Sequence, residues 1–374
     1  MAFDLIRPTL SDPTDRPPPD RSMVHPPITI PMAAVLGMLS GVRARCPEPW
    51  TASLVGQAGF APALLQEVHA RVTGEQYVKL FCLLMDRLDD ECLGLLPRPL
   101  RRGSFALVAR STLGVATVGQ ALRRMAQGFD LLLHDVRPCL VQEDGLTGLA
   151  WALRHPDGTP PPNFLYEMLM RVSWRLLAWL HGGKLLPARC DFCFARPDYA
   201  DIYARIFPGP LRFDRPSSVV WFNVTALATP VHRDAAALER FLQGSPGNVV
   251  LPWLGERAAS ARVHALLRRT SPQWPDLAAT AASLHMSVST LQRHLAQEGT
   301  SFQALKDQLR RDLAIVRLST GNPPLAVLAA ELGFSDSAAF QRAFKTWTGS
   351  SPGSYKKGRQ GSNASKKQQT IPYR

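Results

Sequence analysis

A duplicated pattern in the last third of the chain constrains its fold more than any other feature. Leu325–Pro352, LAVLAAELGFSDSAAFQRAFKTWTGSSP, carries apolar residues at helical spacing, breaks at Gly333 and resumes. A fainter copy, LAATAASLHMSVSTLQRHLAQEGTSF, runs from Leu277 to Phe302, at an offset that drifts from 48 to 50 residues. Each copy reads as a short helix, a tight turn and a second helix with one polar face, the outline of a helix-turn-helix.

In the first copy Leu277, Ala281 and Leu284 pack inward, His285-Met286 makes the turn and Ser287 is the natural N-cap of the next helix. Leu291 and Leu295 then face the core, which leaves Ser289, Gln292 and Arg293 on the opposite side. In the second copy Gly333 supplies the permissive turn residue, Phe334 fills the core, Ser335 caps, and Asp336 sits at the positive end of a helix. Phe340, Phe344 and Trp347 turn inward. Ser337, Ala338, Gln341, Arg342 and Lys345 face outward, and Thr348-Gly349 ends the helix. Ala259–Arg269 forms a helix ahead of the first copy. Between the copies Phe302, Leu305, Leu309, Leu313 and Val316 define a helix from Phe302 to Leu318, closed by Gly321-Asn322-Pro323. Such a rod is about 26 Å long. With their own offsets added, it can hold two recognition helices about one DNA turn, roughly 34 Å, apart.

Residues 251–374 hold 17 Lys and Arg against 7 Asp and Glu, whereas residues 1–250 hold 26 against 23. The excess positive charge sits with the repeat, and a basic domain points to a polyanion. Gln and Arg, adjacent in both copies, suit the major groove: Arg forks onto guanine O6/N7 and Gln onto adenine N6/N7, each good contact contributing about 1–3 kcal/mol of discrimination. Lys345, Arg310 and Arg311 suit phosphate, which fixes register without reading sequence. A helical bundle with a merely polar exterior is the alternative.

Upstream, residues 28–243 have the makings of an α+β domain. Helical spacing runs from Ile30 to Leu95, with Val78, Phe81, Cys82, Leu84, Met85 and Leu88 as one stripe, and returns over Val115–Phe129, where Arg123 and Arg124 fall on a solvated face. The period then shortens towards 2: Leu131–Gln142 and Leu146–Leu153 flank Glu143-Asp144-Gly145, a hairpin turn. Asn163 is placed to cap an apolar helix over Phe164–Leu180, which carries Trp174 and Trp179 into the core. Strands are expected at Leu186–Phe194, Leu211–Phe213 and Ser218–Phe222, with a helix near Tyr199–Phe207. Asp234–Gln243 is amphipathic, and Gly244-Ser245-Pro246-Gly247-Asn248 reads as a flexible joint opening a linker over 244–256. The proline-rich residues 1–27 read as a disordered leader, 257–357 as the all-α double helix-turn-helix domain, and 358–374 as a basic flexible tail.

The chain holds no Walker loop, GxGxxG, HExxH or GxSxG, so no catalytic constellation and no cofactor are expected. Its six cysteines follow no secretory signal, which points to reduced thiols in a cytoplasm. Cys190 and Cys193, three apart on a strand, face opposite ways and make no metal site. His69, His134, His155 and His181 lack partners at usable spacing and read as structural or surface residues. No apolar run reaches the roughly eighteen residues that cross a bilayer. The aromatic and aliphatic content of the N-terminal domain suits a ligand pocket and ordinary core packing alike, so no effector-binding residue is assigned.

SVSTLQRHLAQEGTSFQAL and LAAELGFSDSAAFQRAFKTWTGSSPGSY resemble the double helix-turn-helix of the AraC/XylS family of bacterial transcription regulators, over roughly Ala259–Lys357. The resemblance implies base-reading roles for Ser289, Gln292 and Arg293 and puts Ser337, Ala338, Gln341 and Arg342 on the second reading helix. His285 departs from the glycine usual in the first turn, a left-handed position histidine occupies at some cost. ARPDYADIYARIFPGPLRFDRPSSVVWFN followed by LATPV is similar to the arabinose-binding-type effector domain of one branch of that family, which includes ornithine-utilisation regulators, over Ile30–Leu242. The expectation is a cytoplasmic, sequence-specific regulator, an activator rather than a repressor. It would act on double-stranded promoter DNA with RNA polymerase, answer to an unidentified small-molecule effector and be able to form a homodimer. Two alternatives stay open: an N-terminal domain that serves only dimerisation or protein interaction, and a repair alkyltransferase fused to the same module, which would need a reactive cysteine.

Overall fold

The computed structural model describes residues 29–43, 45–67, 69–154, 160–183, 185–200, 203–231, 233–251, 259–270, 273–297 and 300–355. The leader expected over 1–27, the tail expected over 358–374, His155 and the last part of the expected linker lie outside the described residues.

Helical stripes broken by short turns fold into β1 (Thr29–Pro31), α1 (Met32–Arg43), α2 (Glu48–Ala58), β2 (Arg71–Thr73), α3 (Gly74–Leu88), α4 (Ser104–Ser111) and α5 (Val118–Leu132). β1 and β2, too short to show a period, pair antiparallel with Ile30 opposite Val72. A capping box opens α3: the Thr73 hydroxyl accepts the Gln76 N–H at 3.1 Å and Gln76 Oε1 accepts the Thr73 N–H at 2.9 Å.

The chain continues through β3 (Val136–Glu143), β4 (Leu146–Leu153), α6 (Asn163–Leu180), β5 (Arg189–Asp191), α7 (Tyr203–Ile206), β6 (Leu211–Arg212) and β7 (Ser218–Asn223). The strands form one sheet in the order β3-β4-β7-β5-β6. Asp144 and Gly145 both take positive φ, 45° and 75°, and the turn sets Glu143 opposite Leu146. The first strand starts at Val136 rather than Leu131, because Leu131 and Leu132 complete the last turn of α5 and Leu133 caps it. α6 packs on β4 and β7 and buries Met170, Trp174 and Leu177 among others. Its N-cap is Pro162; Asn163 is already helical and caps nothing.

Glu167 and Arg171 interrupt the apolar surface of α6, and both are buried. Glu167 accepts hydrogen bonds from the hydroxyls of Tyr203 and Tyr199. Burial pushes its carboxyl above the ordinary value of 4.5. The folded chain therefore holds this proton more tightly than the unfolded chain does. The resulting stability is full below about pH 4.5 and is lost as pH rises to the folded value. Glu167→Gln keeps an acceptor that cannot ionise. It is expected to be more stable than the parent at pH 7, by a margin that disappears below pH 4.5, in urea unfolding at the two pH values.

Beyond the sheet come α8 (Val224–Leu227), α9 (Ala235–Gln243) and α10 (Gly247–Val250). Here the expected flexible joint is instead a turn at 244–246 that runs directly into α10, which is packed. Val249, Val250 and Leu251 are buried, α10 lies on α6, and Arg175 donates Nε and Nη2 to the Asn248 carbonyl at 3.0 and 2.6 Å. Gly, Ser and Pro signal a turn, but the three apolar residues that follow are drawn into the core, so the N-terminal domain extends to Leu251.

The C-terminal region comprises α11 (Ala259–Arg269), α12 (Leu277–Ser283), α13 (Val288–Gln297), α14 (Phe302–Thr320), α15 (Leu325–Glu331) and α16 (Ser337–Thr348). Its two units differ in what holds them. Val263, Leu267, Ala281, Leu291, Leu295 and Leu309 of the first make a core of their own. Ile315, Leu318, Leu328, Phe340, Phe344 and Tyr355 of the second are continuous with the N-terminal core. Polar bonds rim that seam. Thr29 Oγ1 donates to Asp312 Oδ1 at 2.6 Å, the Arg71 N–H donates to the Tyr355 hydroxyl at 3.0 Å, and Ser350 Oγ donates to Glu67 Oε2 at 3.2 Å.

Candidate nucleic-acid interface

The two turns are built alike. His285 N–H donates to the Ala282 carbonyl at 3.0 Å and Met286 N–H to that of Ala281 at 2.9 Å. In the second unit Gly333 N–H donates to Ala330 at 3.0 Å and Phe334 N–H to Ala329 at 2.9 Å. This pairing needs a left-handed residue, and His285 and Gly333 take φ of 57° and 72°. A side chain there costs about 1–2 kcal/mol. His285→Gly is expected to stabilise the first unit by about 0.5–1 kcal/mol once glycine's extra unfolded-state entropy is subtracted. A higher urea midpoint at unchanged m-value would show it.

The second helix of each unit starts on a side-chain cap. Ser287 Oγ accepts the Thr290 N–H at 3.1 Å, as expected. In the second unit the cap is Asp336 and not Ser335: Asp336 Oδ1 accepts the Ala339 N–H at 2.7 Å, while Ser335 Oγ donates to the Asp336 carboxylate at 3.2 Å. The bond from Ala339 holds the Asp336 carboxyl below its ordinary range. α16 therefore begins one residue later relative to its turn than α13 does, which makes Arg293 and Arg342 equivalent positions.

Ser289, Gln292 and Arg293 are exposed on α13, and Ala338, Gln341, Arg342 and Lys345 on α16; Ser337, at the first turn, is half-buried. Behind them Leu291 and Leu295, then Phe340 and Phe344, are buried. Among the described residues, the side chains of Gln292, Arg293, Gln341, Arg342 and Lys345 have no hydrogen-bond or ion-pair partner within the chain. They are exposed and uncommitted within the fold.

Arg310 and Arg311 do not join them, which corrects the phosphate role expected of both. Arg310 Nε donates to the Leu332 carbonyl at 3.1 Å, Nη1 pairs with Asp307 at 3.3 Å, and the guanidinium lies 5.1 Å from the ring centroids of both Trp274 and Phe334. It brackets the first unit, the connecting helix and the second turn together. Arg311 Nε pairs with the buried Asp312 at 3.1 Å, at the seam with the N-terminal domain. Both cations are paired with carboxylates, and the Nη2 of Arg311 is buried at the seam without a partner. Arg262, which sequence reasoning passed over, donates Nη2 to the Leu284 carbonyl at 3.0 Å and so steadies the first turn from α11.

Cys190 is buried in β5, and Cys193 Sγ accepts the Ser218 hydroxyl at 3.2 Å. Among the described residues no group of three His, Cys, Asp or Glu is placed to hold a metal ion, and no helix is long and apolar enough to cross a membrane.

Two family models match the chain in tandem: the N-terminal arabinose-binding domain of AraC transcription regulator over residues 51–231, and a helix-turn-helix domain over residues 280–358. The chain belongs to the AraC family of transcription regulators. The ornithine utilization regulator of Pseudomonas aeruginosa is 27% identical over 305 residues, 81% of this chain and 90% of its own. The HTH-type transcriptional regulator VqsM of the same organism is 36% identical over 90 residues, 24% of this chain and 28% of its own. The crystal structure of the transcriptional regulator CdpR from Pseudomonas aeruginosa overlaps 86% of this chain and 96% of its own at 21% identity, with a TM-score of 0.30, too loose a superposition to bear on the site. As an AraC-family member this protein is a helix-turn-helix transcription regulator with an N-terminal domain of effector-binding type, and its relatives are regulators rather than enzymes.

Proposed function

We propose that this AraC-family protein reads two successive major-groove segments of a promoter with α13 and α16, and that a small molecule bound by its N-terminal domain biases that reading towards activation. Arg293 and Arg342 would take guanine edges, Gln292 and Gln341 adenine edges, and Lys345 phosphate; Ser289, Ser337 and Ala338 line the same faces. α14, 19 residues and so about 28 Å long, sets the separation of the heads. The partners are double-stranded DNA, RNA polymerase and the effector, in the cytoplasm where a bacterial promoter is read, and a homodimer would extend the site.

The observation that carries this reading is the unequal packing of the two units. The second shares its core with the N-terminal domain and the first does not. A ligand that favours one packing of the N-terminal domain therefore acts on one reading head relative to the other, which is the differential interaction that coupling requires. Thermal shift against amino acids, ornithine included, and other small metabolites tests it, because a ligand specific to the folded chain raises its melting temperature. The same ligand should change operator affinity. A melting temperature and an operator affinity that ignore the whole panel would leave a ligand-independent regulator whose N-terminal domain serves dimerisation.

A further inference from the structure

The cleft between α6, α9 and α10 has a volume of about 470 Å³, within the range of small-molecule sites. Arg175, Arg233 and Arg240 line it, and among the described residues no acidic one does. Trp179 and Phe241 form an apolar wall, their rings stacked at 4.7 Å between centroids and 26° between planes. Two of the three arginines are held by neutral acceptors. Arg175 donates twice to the Asn248 carbonyl. Arg233 Nε donates to the Trp179 carbonyl at 3.0 Å, with its guanidinium 5.1 Å from the Trp179 ring centroid. Carbonyls orient a guanidinium without neutralising it. Among the described residues no carboxylate pairs with any of the three.

A second observation lies one turn back along α6. Arg171 is buried, and its Nε and Nη2 have no hydrogen-bond partner. Burial, with Arg171 adding to it, pulls Arg175 down to about 10. Buried cations are nearly always paired, because an unpaired charge in a low-dielectric interior is costly. Glu167, one turn further, accepts from two tyrosine hydroxyls, and burial pushes its carboxyl above the ordinary value while the nearby Arg171 pulls it partly back down. Of this stripe Arg175 lines the cleft, where no carboxylate faces it among the described residues.

We propose that the cleft binds a small organic anion, a carboxylate on a flat apolar body. The carboxylate would sit on Arg240 and on the N–H groups that Arg175 and Arg233 do not give to the Asn248 and Trp179 carbonyls, and the body would lie against Trp179 and Phe241. A cation of the same shape would be excluded by the three arginines. The chemistry of the site stands on the cleft alone; its regulatory consequence rests on the effector reading above. α10 is one wall, and the chain leaves it at Leu251 for the C-terminal region, so an anion here would clamp together the elements from which that region departs.

Titration of the full-length protein with benzoate, followed by melting temperature and tryptophan fluorescence, tests the proposal. Benzylamine supplies the same ring with the opposite charge, and inorganic phosphate the charge without the ring. Benzoate should raise the melting temperature saturably and change the fluorescence, phosphate should do less, and benzylamine nothing. Arg240 is exposed and Arg233 half-buried, so Arg240→Gln and Arg233→Gln should fold with melting temperatures close to the parent's and each weaken benzoate about tenfold. No response to benzoate at about 10 mM, a level where any Kd of about 1 mM would show, overturns the proposal, as does equal binding of benzylamine or undiminished binding by both variants. Benzoate that binds and leaves operator affinity unchanged upholds the site and removes the effector reading from it. A different ligand that shifts operator affinity while benzoate fails to bind removes the site and keeps the effector reading.

Discussion

Phe344→Ala is expected to cost about 3–5 kcal/mol and to loosen the N-terminal domain together with the second helix-turn-helix. Phe344 is fully buried, edge-on to Tyr355 at 5.2 Å and tilted against Phe340 at 5.6 Å. The cavity opens in a core that runs without a break into the N-terminal domain. Leu295, the matching position of the first unit, lies in a separate core, and Leu295→Ala should cost about 2–5 kcal/mol there. Native-state hydrogen exchange separates the two cases. Phe344→Ala should speed exchange in α6 and β4 as well as in α16, whereas Leu295→Ala should speed it in α11, α12, α13 and the first half of α14 alone. Equal protection of the N-terminal amides in both variants would mean that the shared core is contact without cooperativity.

Arg342→Ala is expected to weaken operator binding by about 1–3 kcal/mol, roughly 5- to 150-fold, and to relax preference at one position of the site. Its side chain is exposed and makes no bond within the chain, so folding stability should stay within about 0.5 kcal/mol of the parent. Lys345→Ala should behave differently. It should weaken all sequences alike and lower the salt dependence of binding by about one counterion, because a phosphate contact positions without reading. Gel-shift titrations on operator and scrambled DNA at two salt concentrations distinguish the two.

The helix-turn-helix pair was legible in the sequence because its signals are local. Gly333 at a positive φ, the apolar period behind it and the Gln-Arg pair in each copy are all set within a few residues. The misreadings share the opposite cause. Ser335 and Asp336 are both competent caps, and which one takes the Ala339 N–H is decided by geometry that composition does not carry. Gly244 to Asn248 has the composition of a joint, yet Val249, Val250 and Leu251 pull it onto α6. Arg310 looks like a phosphate ligand until Trp274 and Phe334, both remote in sequence, close over it. Thr29 and Asp312 stand 283 residues apart and still share a hydrogen bond. The anion cleft was hidden for the same reason, since its three arginines come from α6, from α9 and from the segment just before α9.

DNase footprinting on an operator drawn from a genome-wide binding map tests most directly whether two reading heads share one rod. The parent should protect two patches about one helical turn, roughly 10–10.5 base pairs, apart. Arg293→Ala should erase one patch and Arg342→Ala the other, with both variants folded. Footprints that neither substitution changes would contradict the assignment of α13 and α16 as the two reading helices.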